Sequence, residues 1–233
     1  MGDTDRLRIA ILASGSGSNL EAVVRACLEG RVAADAVAAL SNRPDALALE
    51  RARRLGVPAI VADHRALPDR QSHEERIIEL LEPFAPHLVV LAGYMRIVTA
   101  TLIERYHGRF AAGLPGVMNI HPADTRAYQG AHGYEFALGL AKGHRDRLSE
   151  TKITVHFVDS GVDTGPIIAQ RTVPVLPDDT LETLRGRGLE VEHQLYPECV
   201  ELYARRRLEV VGRTVRVRES SEPAVLVRRP AAL

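Results

Sequence analysis

The chain has 233 residues, of which 45% are apolar, so its length suits one large domain or one domain with a small appendage. Tryptophan is absent and aromatic residues make up only 4%, so the core must consist mainly of Ala, Val, Leu and Ile. The 30 basic and 30 acidic residues cancel, which argues against a general nucleic-acid binder and against a protein of anionic membrane surfaces.

Cysteine usage and hydropathy indicate the compartment in which the protein works. Cys27 and Cys199 show no CxxC motif and no metal-ligand spacing, so we expect a reducing compartment and no metal site. No signal peptide opens the chain and no apolar run approaches ~18 residues. We therefore expect a soluble cytoplasmic protein, either a monomer or a homodimer.

The first predicted element is a buried parallel strand at residues 7–13, followed by a glycine-containing loop at 14–19 and a helix at 20–28. This arrangement aims main-chain N–H groups and the positive end of a helix at an anion. The dinucleotide pattern GxGxxG is not met, because Leu20 stands where the third glycine should be, and no Walker lysine follows. The loop therefore fits a single phosphate, and the alternative is a plain tight turn.

Strands and helices then alternate along the first half of the chain. The predicted segments are helices at 45–55 and 70–84 and strands at 36–40, 57–62 and 88–92. Such alternation with short connections predicts a mostly parallel, doubly wound α/β sheet with helices on both faces. Ligands of such sheets bind outside the carboxyl ends of the strands, and polar clusters fall at three such ends, 14–19, 93–98 and 119–122.

The segment 117–122, VMNIHP, combines a strand with two polar residues two positions apart. In an extended chain Asn119 and His121 point to the same side, while Ile120 points into the core and Pro122 ends the strand. An amide and an imidazole side by side can donate hydrogen bonds to a developing oxyanion. The alternative is a structural histidine bonded to a loop carbonyl.

The second half is predicted to add an antiparallel part. The predicted segments are an irregular stretch at 123–133, a helix at 134–141, an exposed charged loop at 142–150, a strand at 152–159 with one face less buried, a turn at 160–166, a strand at 167–173, a helix reaching about residue 205 and a hairpin at 208–217. Asp178 or Asp179 is expected to cap the long helix, the hairpin to turn near Gly212, and the end beyond Glu219 to be loose.

Four segments in this order resemble the folate-dependent formyltransferases. They are SGSGSNL at 14–20, AGYMRIV at 92–98, NIHP at 119–122 and HFVDSGVDTGPII at 156–168. The likeness covers roughly residues 7–205, and implies a formyltransferase domain at 1–205 with a C-terminal extension at 206–233. It implies a Rossmann-like fold and transfer of a formyl group from 10-formyltetrahydrofolate to the amine of glycinamide ribonucleotide, in de novo purine biosynthesis.

The resemblance also implies roles for individual residues. The catalytic residues would be Asn119, His121 and Asp163; the ribonucleotide would be held by Gly17, Ser18, Asn19 and Glu192; and the folate would be held by Arg70, Met95, Arg96, Ile97 and Val98. Asn119 would donate to the oxyanion, and Asp163 would keep His121 partly cationic at neutral pH. Without the resemblance, Asp163 also fits an ordinary turn residue. His156 is a further histidine that could face the site, because it alternates with apolar neighbours.

The same comparison gives two departures from the family pattern and four rival functions. One departure is the charged loop at 142–150, which is longer than in the relatives. After His-Pro the family usually continues Ser-Leu-Leu-Pro, whereas here the chain reads ADTRAYQG at 123–130, which predicts a more polar and more mobile wall. A deformylase would carry an added N-terminal domain, whereas this chain starts at its first strand. A formyltransferase for an amino sugar or transfer RNA would carry an added C-terminal domain. Another phosphorylated amine as acceptor and a non-catalytic binding module are the remaining alternatives.

Overall fold

The computed structural model describes residues 6–219. In this range seven strands form one sheet and two form a separate hairpin. The strands are β1 (Leu7–Leu12), β2 (Ala34–Ser41), β3 (Ala59–Val61), β4 (Leu88–Leu91), β5 (Val117–His121), β6 (Glu150–Phe157), β7 (Ile167–Pro174), β8 (Leu208–Val211) and β9 (Thr214–Val217). The order across the main sheet is β3-β2-β1-β4-β5-β6-β7. Pairing is parallel from β3 to β5 and antiparallel for β5-β6 and β6-β7, so the predicted fold class is confirmed.

Helices lie on both faces of this sheet. They are α1 (Ser18–Leu28), α2 (Leu47–Arg54), α3 (Arg70–Leu81), α4 (Ala100–Tyr106), α5 (Gly133–Ala137) and α6 (Leu181–Ala204), with short 3₁₀ turns at His64–Ala66 and Glu82–Phe84. Alternate residues of β1 supply two cores: Ile9 and Ile11 pack on the side of α1, α2 and α6, whereas Ala10 and Leu12 pack on the side of α3 and α4. Burying each such isoleucine or leucine stabilises the fold by roughly 1.5–3 kcal/mol.

The strand order places three loops together. Because β1 lies between β2 and β4, the direction of winding reverses between β1 and β4, and ligands bind at such a reversal. The Ser14 N–H donates to the Gly93 carbonyl at 3.1 Å, and the Met95 N–H donates to Ser14 Oγ at 2.8 Å. The loops after β1 and β4 are therefore in direct contact, and β5 ends beside them.

Strand β6 corrects one prediction. Its side chains alternate as expected, but both faces are buried from Ile153 to Phe157. Ile153, Val155 and Phe157 belong to the core on the α6 side. The opposite face is covered by the loop after β5, whose Ala123 carbonyl accepts a hydrogen bond from Thr154 Oγ1 at 2.7 Å. The more polar face of β6 is therefore buried within the protein instead of facing water.

Three helices also differ from the predictions. Helix α5 ends at Ala137, not near residue 141, and the short helix α4 was not predicted. The cap of α6 is Thr180, whose hydroxyl accepts from the Thr183 N–H at 3.2 Å while Thr183 Oγ1 accepts from the Thr180 N–H at 3.0 Å. Asp179 instead forms an ion pair with Arg187 at 2.8 Å.

The C-terminal hairpin is confirmed, with β8 and β9 joined through Gly212. Its Arg213 donates from Nη2 to the Thr164 carbonyl at 2.6 Å, which attaches the hairpin to the turn before β7. The predicted exposed loop at 142–150 is also confirmed, since most of its residues are exposed. The loose end beyond Glu219 lies outside the described residues.

Candidate active site

Asp163 is the centre of a buried polar cluster at the edge of the sheet. Its Oδ2 lies 3.4 Å from His121 Nδ1 and accepts from the Gly130 N–H at 2.9 Å. Its Oδ1 accepts from Asn119 Nδ2 at 3.1 Å and lies 3.4 Å from His156 Nε2. The structure therefore brings together the three predicted catalytic residues, which are up to 44 positions apart in sequence.

Local sequence explains how these side chains converge. Asn119 and His121 share one face of β5, while Ile120 points into the core on the other face. Asp163 adopts a left-handed backbone conformation with φ 51°. Position 165 must be a glycine, because a Cβ there would lie 1.8 Å from the Phe157 carbonyl oxygen. The turn is thereby pressed against the end of β6, with the carboxylate of Asp163 facing β5.

The protonation of the cluster corrects the prediction of a partly cationic His121. Burial lowers the pKa of His121 below its ordinary value, and the opposing effects of the Asp163 charge and a hydrogen bond to the Tyr128 main chain are smaller. Burial would raise the pKa of Asp163, but the neighbouring His156, the charge of His121 and the Gly130 N–H together lower it. At neutral pH the cluster therefore holds a carboxylate and a neutral His121 imidazole.

This protonation state leaves one ring nitrogen of His121 available. The hydrogen of the neutral ring belongs on Nδ1, because the Asp163 carboxylate facing it can only accept. Nε2 then carries a lone pair, and it has no hydrogen-bond partner among residues 6–219 although it is buried. His121 is thus arranged as a proton acceptor, with the carboxylate behind it ready to stabilise the imidazolium.

His156 is a site residue that the sequence analysis left open. Its Nδ1 lies 2.8 Å from the carbonyl of Phe157, so this nitrogen carries the hydrogen in the neutral ring. Its Nε2 lies 3.2 Å from Asn119 Nδ2. The alternation of apolar residues along β6 was the sequence signal that His156 could face the site. Its partner Asn119 could not be predicted, because it follows from the pairing of β6 with β5.

The loop after β1 has the geometry of an anion site. Gly17 precedes α1 with φ 76°, and a Cβ there would lie 2.6 Å from Ala48 Cα, so only glycine fits. Ser18 and Asn19 are the first helical residues, and no side chain of the described residues caps this end. The main-chain N–H groups of the first turn are therefore left for a ligand.

Glu192 joins this loop from α6. Its Oε2 accepts from Asn19 Nδ2 at 2.5 Å, and the carboxylate is almost fully buried. Burial raises the pKa of Glu192, while the hydrogen bonds it accepts lower it. The structure thus brings together the four predicted acceptor-side residues, Gly17, Ser18, Asn19 and Glu192.

The predicted folate-side residues lie along the loop after β4. Met95 and Ile97 are exposed by 69% and 47%, whereas Val98 is buried. Arg96 is half-buried, and its buried Nε has no partner among residues 6–219. The exposed apolar side chains beside this half-buried guanidinium offer both flat apolar contact and a hydrogen-bond donor.

Arg70 starts α3 and is exposed, and no contact in the described structure joins it to the other predicted site residues. One turn later, Glu74 accepts from the Thr99 N–H at 2.7 Å and from the Leu102 N–H at 3.1 Å. This buried carboxylate fixes the end of the loop after β4 against α3. The start of α3 is therefore held on the same side as the folate-side loop.

The altered loop after Pro122 is attached to the sheet through Asp124. This carboxylate accepts from Lys152 Nζ at 2.9 Å, from Gln170 Nε2 at 3.0 Å and from Arg126 Nε at 3.1 Å. The wall is polar, as predicted, but these contacts with β6 and β7 favour a held loop over the predicted mobile one. A cavity of about 500 Å³ lies between this loop, the Asp163 turn and hairpin residues 213–215.

The described residues contain neither a metal-binding cluster nor a membrane-spanning helix. Within residues 6–219, no group of three or more His, Cys, Asp or Glu side chains is arranged to hold a metal ion. In the same range, no helix combines the length and apolar character needed to cross a membrane.

Comparisons with known proteins point to one family. A sequence model described as formyl transferase matches residues 7–200. The chain is 36% identical over 194 residues to phosphoribosylglycinamide formyltransferase of Bacillus subtilis, an alignment that covers 83% of this chain and 93% of that protein. It is also 36% identical over 199 residues to the trifunctional purine biosynthetic protein adenosine-3 of Drosophila melanogaster, covering 84% of this chain. The matches span only 14–19% of the length of four such trifunctional relatives.

Solved structures give the same result. The crystal structure of glycinamide ribonucleotide transformylase 1 from Symbiobacterium toebii matches with a TM-score of 0.84 and 41% identity, covering 93% of this chain and 96% of that one. The corresponding protein from Geobacillus kaustophilus matches with a TM-score of 0.76 and 38% identity, covering 85% of this chain and 99% of that one.

Proposed function

The chain belongs to the formyl transferase family, and on that premise we propose that it transfers a formyl group from 10-formyltetrahydrofolate to the amine of glycinamide ribonucleotide in purine biosynthesis. The observation that carries the proposal is the cluster of Asn119, His121 and Asp163 beside an anion-binding loop. The relatives named for this activity match nearly the whole formyltransferase part of the chain.

The reaction is an acyl transfer, and His121 is the residue proposed to move the proton. The lone pair of the acceptor amine attacks the formyl carbon, and a C–N bond forms while the carbonyl becomes an oxyanion. His121 Nε2 takes the proton that the attacking nitrogen loses. The resulting imidazolium then donates a proton to N10 of the folate as the bond between N10 and the formyl carbon breaks. The products are the formylated ribonucleotide and tetrahydrofolate, and Asp163 stabilises the transient imidazolium.

Asn119 is proposed to stabilise the oxyanion. Its Nδ2 carries two hydrogens, of which one is held by Asp163 Oδ1 and the other faces His156 Nε2. The second N–H, which His156 orients, can be shared with the developing negative oxygen. Such a preorganised donor commonly contributes ~10²–10³ in rate.

The acceptor is proposed to bind through the first turn of α1. Its phosphate would accept hydrogen bonds from the main-chain N–H groups at Gly17, Ser18 and Asn19, assisted by the helix dipole. Glu192 would face the ribonucleotide beside Asn19. This places the amine of the acceptor between the phosphate loop and the end of β5.

The donor is proposed to bind against the loop after β4. Met95, Arg96, Ile97 and Val98 would contact the pterin, and Arg70 would act at the more exposed end of the folate. We also propose that residues 1–205 form the catalytic domain and that 206–233 extend it, because the family match ends at residue 200. The expected cytoplasmic location and the monomeric or homodimeric state stay predictions.

A turnover assay of the full chain tests the proposal. The chain is incubated with 10-formyltetrahydrofolate, with and without glycinamide ribonucleotide, and tetrahydrofolate and formylated product are both measured. Equal amounts of the two products, formed only when the acceptor is present, would support the proposal. Tetrahydrofolate and formate formed at the same rate without acceptor would identify a deformylase and overturn it. His121→Ala is the negative control.

A higher kcat/KM for a different phosphorylated amine would also overturn the proposed acceptor. The charges of Asp124 and Arg126 make this comparison necessary, because they lie in the loop where the chain departs from the family pattern. Amines that differ only in the group attached to the ribose phosphate are the sharpest competitors, because the phosphate loop would hold them equally.

A further inference from the structure

A buried hydrogen bond joins Tyr134 to Glu192, one of the proposed acceptor-side residues. Resting on the proposed function, we propose that Tyr134 is a positioning residue for the acceptor ribonucleotide. Its hydroxyl fixes the carboxylate of Glu192, and Glu192 in turn fixes the side-chain amide of Asn19 at the phosphate loop.

The three side chains come from three different helices. Tyr134 Oη, from α5, donates to Glu192 Oε1 at 2.5 Å, and Asn19 Nδ2, from α1, donates to Glu192 Oε2 at 2.5 Å. Each oxygen of the α6 carboxylate therefore has its own donor, so the carboxylate has no freedom to rotate without breaking a hydrogen bond. Tyr134, Glu192 and Asn19 are all buried, which strengthens both bonds.

The orientation of Asn19 has a direct consequence for a ligand. Because Nδ2 is bonded to Glu192, Oδ1 points the other way, and it is buried without a hydrogen-bond partner among residues 6–219. A buried carbonyl oxygen left without a donor is costly unless a ligand supplies one. A ribose hydroxyl or a substrate N–H is the kind of donor that Asn19 Oδ1 can accept, whereas a fully ionised phosphate is not.

Helix α6 makes room for the phenol by omitting a side chain. Gly188 lies one turn before Glu192, and a Cβ at this position would lie 2.1 Å from Tyr134 Oη and 2.5 Å from Tyr134 Cε1. Glycine inside a helix costs roughly 0.5–1 kcal/mol relative to alanine in conformational terms. Its presence where the tyrosine hydroxyl lies against α6 is a second observation, independent of the hydrogen bonds, that the position of the phenol matters.

The charge state of Glu192 depends on the same contacts. Burial raises its pKa, and this is opposed by hydrogen bonds from Tyr134 and Asn19 and by the charges of His193 and Arg185. Burial outweighs these contacts, so the pKa of Glu192 is raised overall, and removing the Tyr134 hydroxyl takes away one of the groups that favour the ionised carboxylate. Acceptor binding by such a variant should therefore be lost at a higher pH than in the wild type as the pH is lowered.

The first test compares two tyrosine-to-phenylalanine variants. In Tyr134→Phe the KM for glycinamide ribonucleotide should rise about 10-fold, the loss expected for a hydrogen bond to a charged group. The KM for 10-formyltetrahydrofolate should be unchanged, kcat should change less than the acceptor KM, and the acid limb of acceptor binding should move to higher pH. Tyr106→Phe is the matched control, because its buried hydroxyl has no partner among residues 6–219 and lies in the other core.

The second test displaces the phenol without removing it. Gly188→Ala should give the same acceptor-specific rise in KM, because the new Cβ overlaps Tyr134 Oη. Gly186→Ala is its control on the same helix, since a Cβ there meets no atom within 4 Å in the described part of the chain. Both changes raise helix propensity. A kinetic defect found only in Gly188→Ala would therefore be caused by displacement of Tyr134 and not by a change in the stability of the helix.

Two kinetic outcomes would overturn the inference. One is a wild-type acceptor KM and pH profile in Tyr134→Phe, and the other is an equal rise in both KM values together with a lowered melting temperature, which would indicate a purely structural role. Calorimetric titration with ribose 5-phosphate measures the same site without turnover. If the wild-type chain binds this probe but does not formylate glycinamide ribonucleotide, the proposed function fails. If it formylates the acceptor and Tyr134→Phe binds the probe as tightly as the wild type, the positioning role alone fails.

Discussion

Asn119 lies directly opposite His156 in the antiparallel pairing of β5 and β6, with Asn119 Nδ2 3.2 Å from His156 Nε2. The imidazole is in turn held by the carbonyl of Phe157 at 2.8 Å. His156 is therefore placed to orient the amide of Asn119, which is the group we propose as donor to the oxyanion.

A double-mutant cycle tests this relationship. Asn119→Ala should lower kcat by ~10²–10³, the usual cost of losing an oxyanion donor. His156→Ala should lower kcat by less, because the amide remains but loses its orientation. If His156 acts through Asn119, the double variant should have the kcat of Asn119→Ala alone. Fully additive losses in kcat would contradict this role.

The pH dependence should reveal a proton acceptor of lowered pKa. Burial lowers the pKa of His121 below its ordinary value of 6.5, so kcat/KM should be high at neutral pH and fall only as the pH drops below that value. Asp163 raises the pKa of His121, so Asp163→Asn should move this acid limb to still lower pH while reducing the rate at neutral pH. The measurement is kcat/KM against pH with saturating donor.

His121→Ala provides the control for that profile. It should lose on the order of 10²–10⁴ in rate, the usual contribution of general acid–base catalysis, and should show no such limb. An acid limb above pH 6.5 in the wild type, or a limb that moves upward in Asp163→Asn, would contradict the neutral imidazole.

Gly17→Ala should both destabilise the protein and weaken acceptor binding. The substitution forces alanine into φ 76° and places its Cβ 2.6 Å from Ala48 Cα and Cβ. Strain of this kind costs roughly 1–3 kcal/mol, and the displaced loop should raise the acceptor KM. Thermal melting and acceptor kinetics are measured together.

Gly30→Ala separates the two contributions. Gly30 has the similar φ of 74° but a Cβ there meets no described atom within 4 Å. It should therefore carry the backbone strain without the clash, and show a smaller drop in melting temperature and an unchanged acceptor KM. A Gly17→Ala variant that behaved like Gly30→Ala would mean that the approach to Ala48 does not shape the loop.

Thr180→Ala should lower stability by about 1 kcal/mol, because it removes the capping hydroxyl of α6. For a chain of this size that loss corresponds to a fall in melting temperature of roughly 2–4 °C. Asp178→Ala is the control, since Asp178 is exposed and Thr180 is the cap. Equal effects of the two substitutions would mean that the cap contributes little.

Local patterns predicted the features that depend on local sequence. The alternation around Ile120 placed Asn119 and His121 on one face, because side-chain direction in a strand follows from spacing alone. Helix α4 was missed, since its first turn is stabilised by Glu74 of α3, which accepts from the Thr99 and Leu102 N–H groups. That contact is tertiary and leaves no trace in the sequence of the helix itself.

The site residues that the sequence did not reveal depend on pairings across long distances. The partner of His156 follows from the register of β5 against β6, and the partner of Tyr134 lies 58 positions away in α6. The error over the charge of His121 has the same origin: a neighbouring carboxylate could be predicted from motifs, but the degree of burial that outweighs it required the packed structure.

Ser14 links the two proposed substrate sites through its own hydrogen bonds. It donates from its main chain to Gly93 at 3.1 Å and accepts at Oγ from the Met95 N–H at 2.8 Å, while its hydroxyl donates to Asn42 Oδ1 at 2.5 Å. Under the proposed function, the separation of the formyl carbon and the attacking nitrogen is therefore set by hydrogen bonds between the loops of two adjacent strands. Two molecules bound there would meet at a high effective concentration without any hinge having to close.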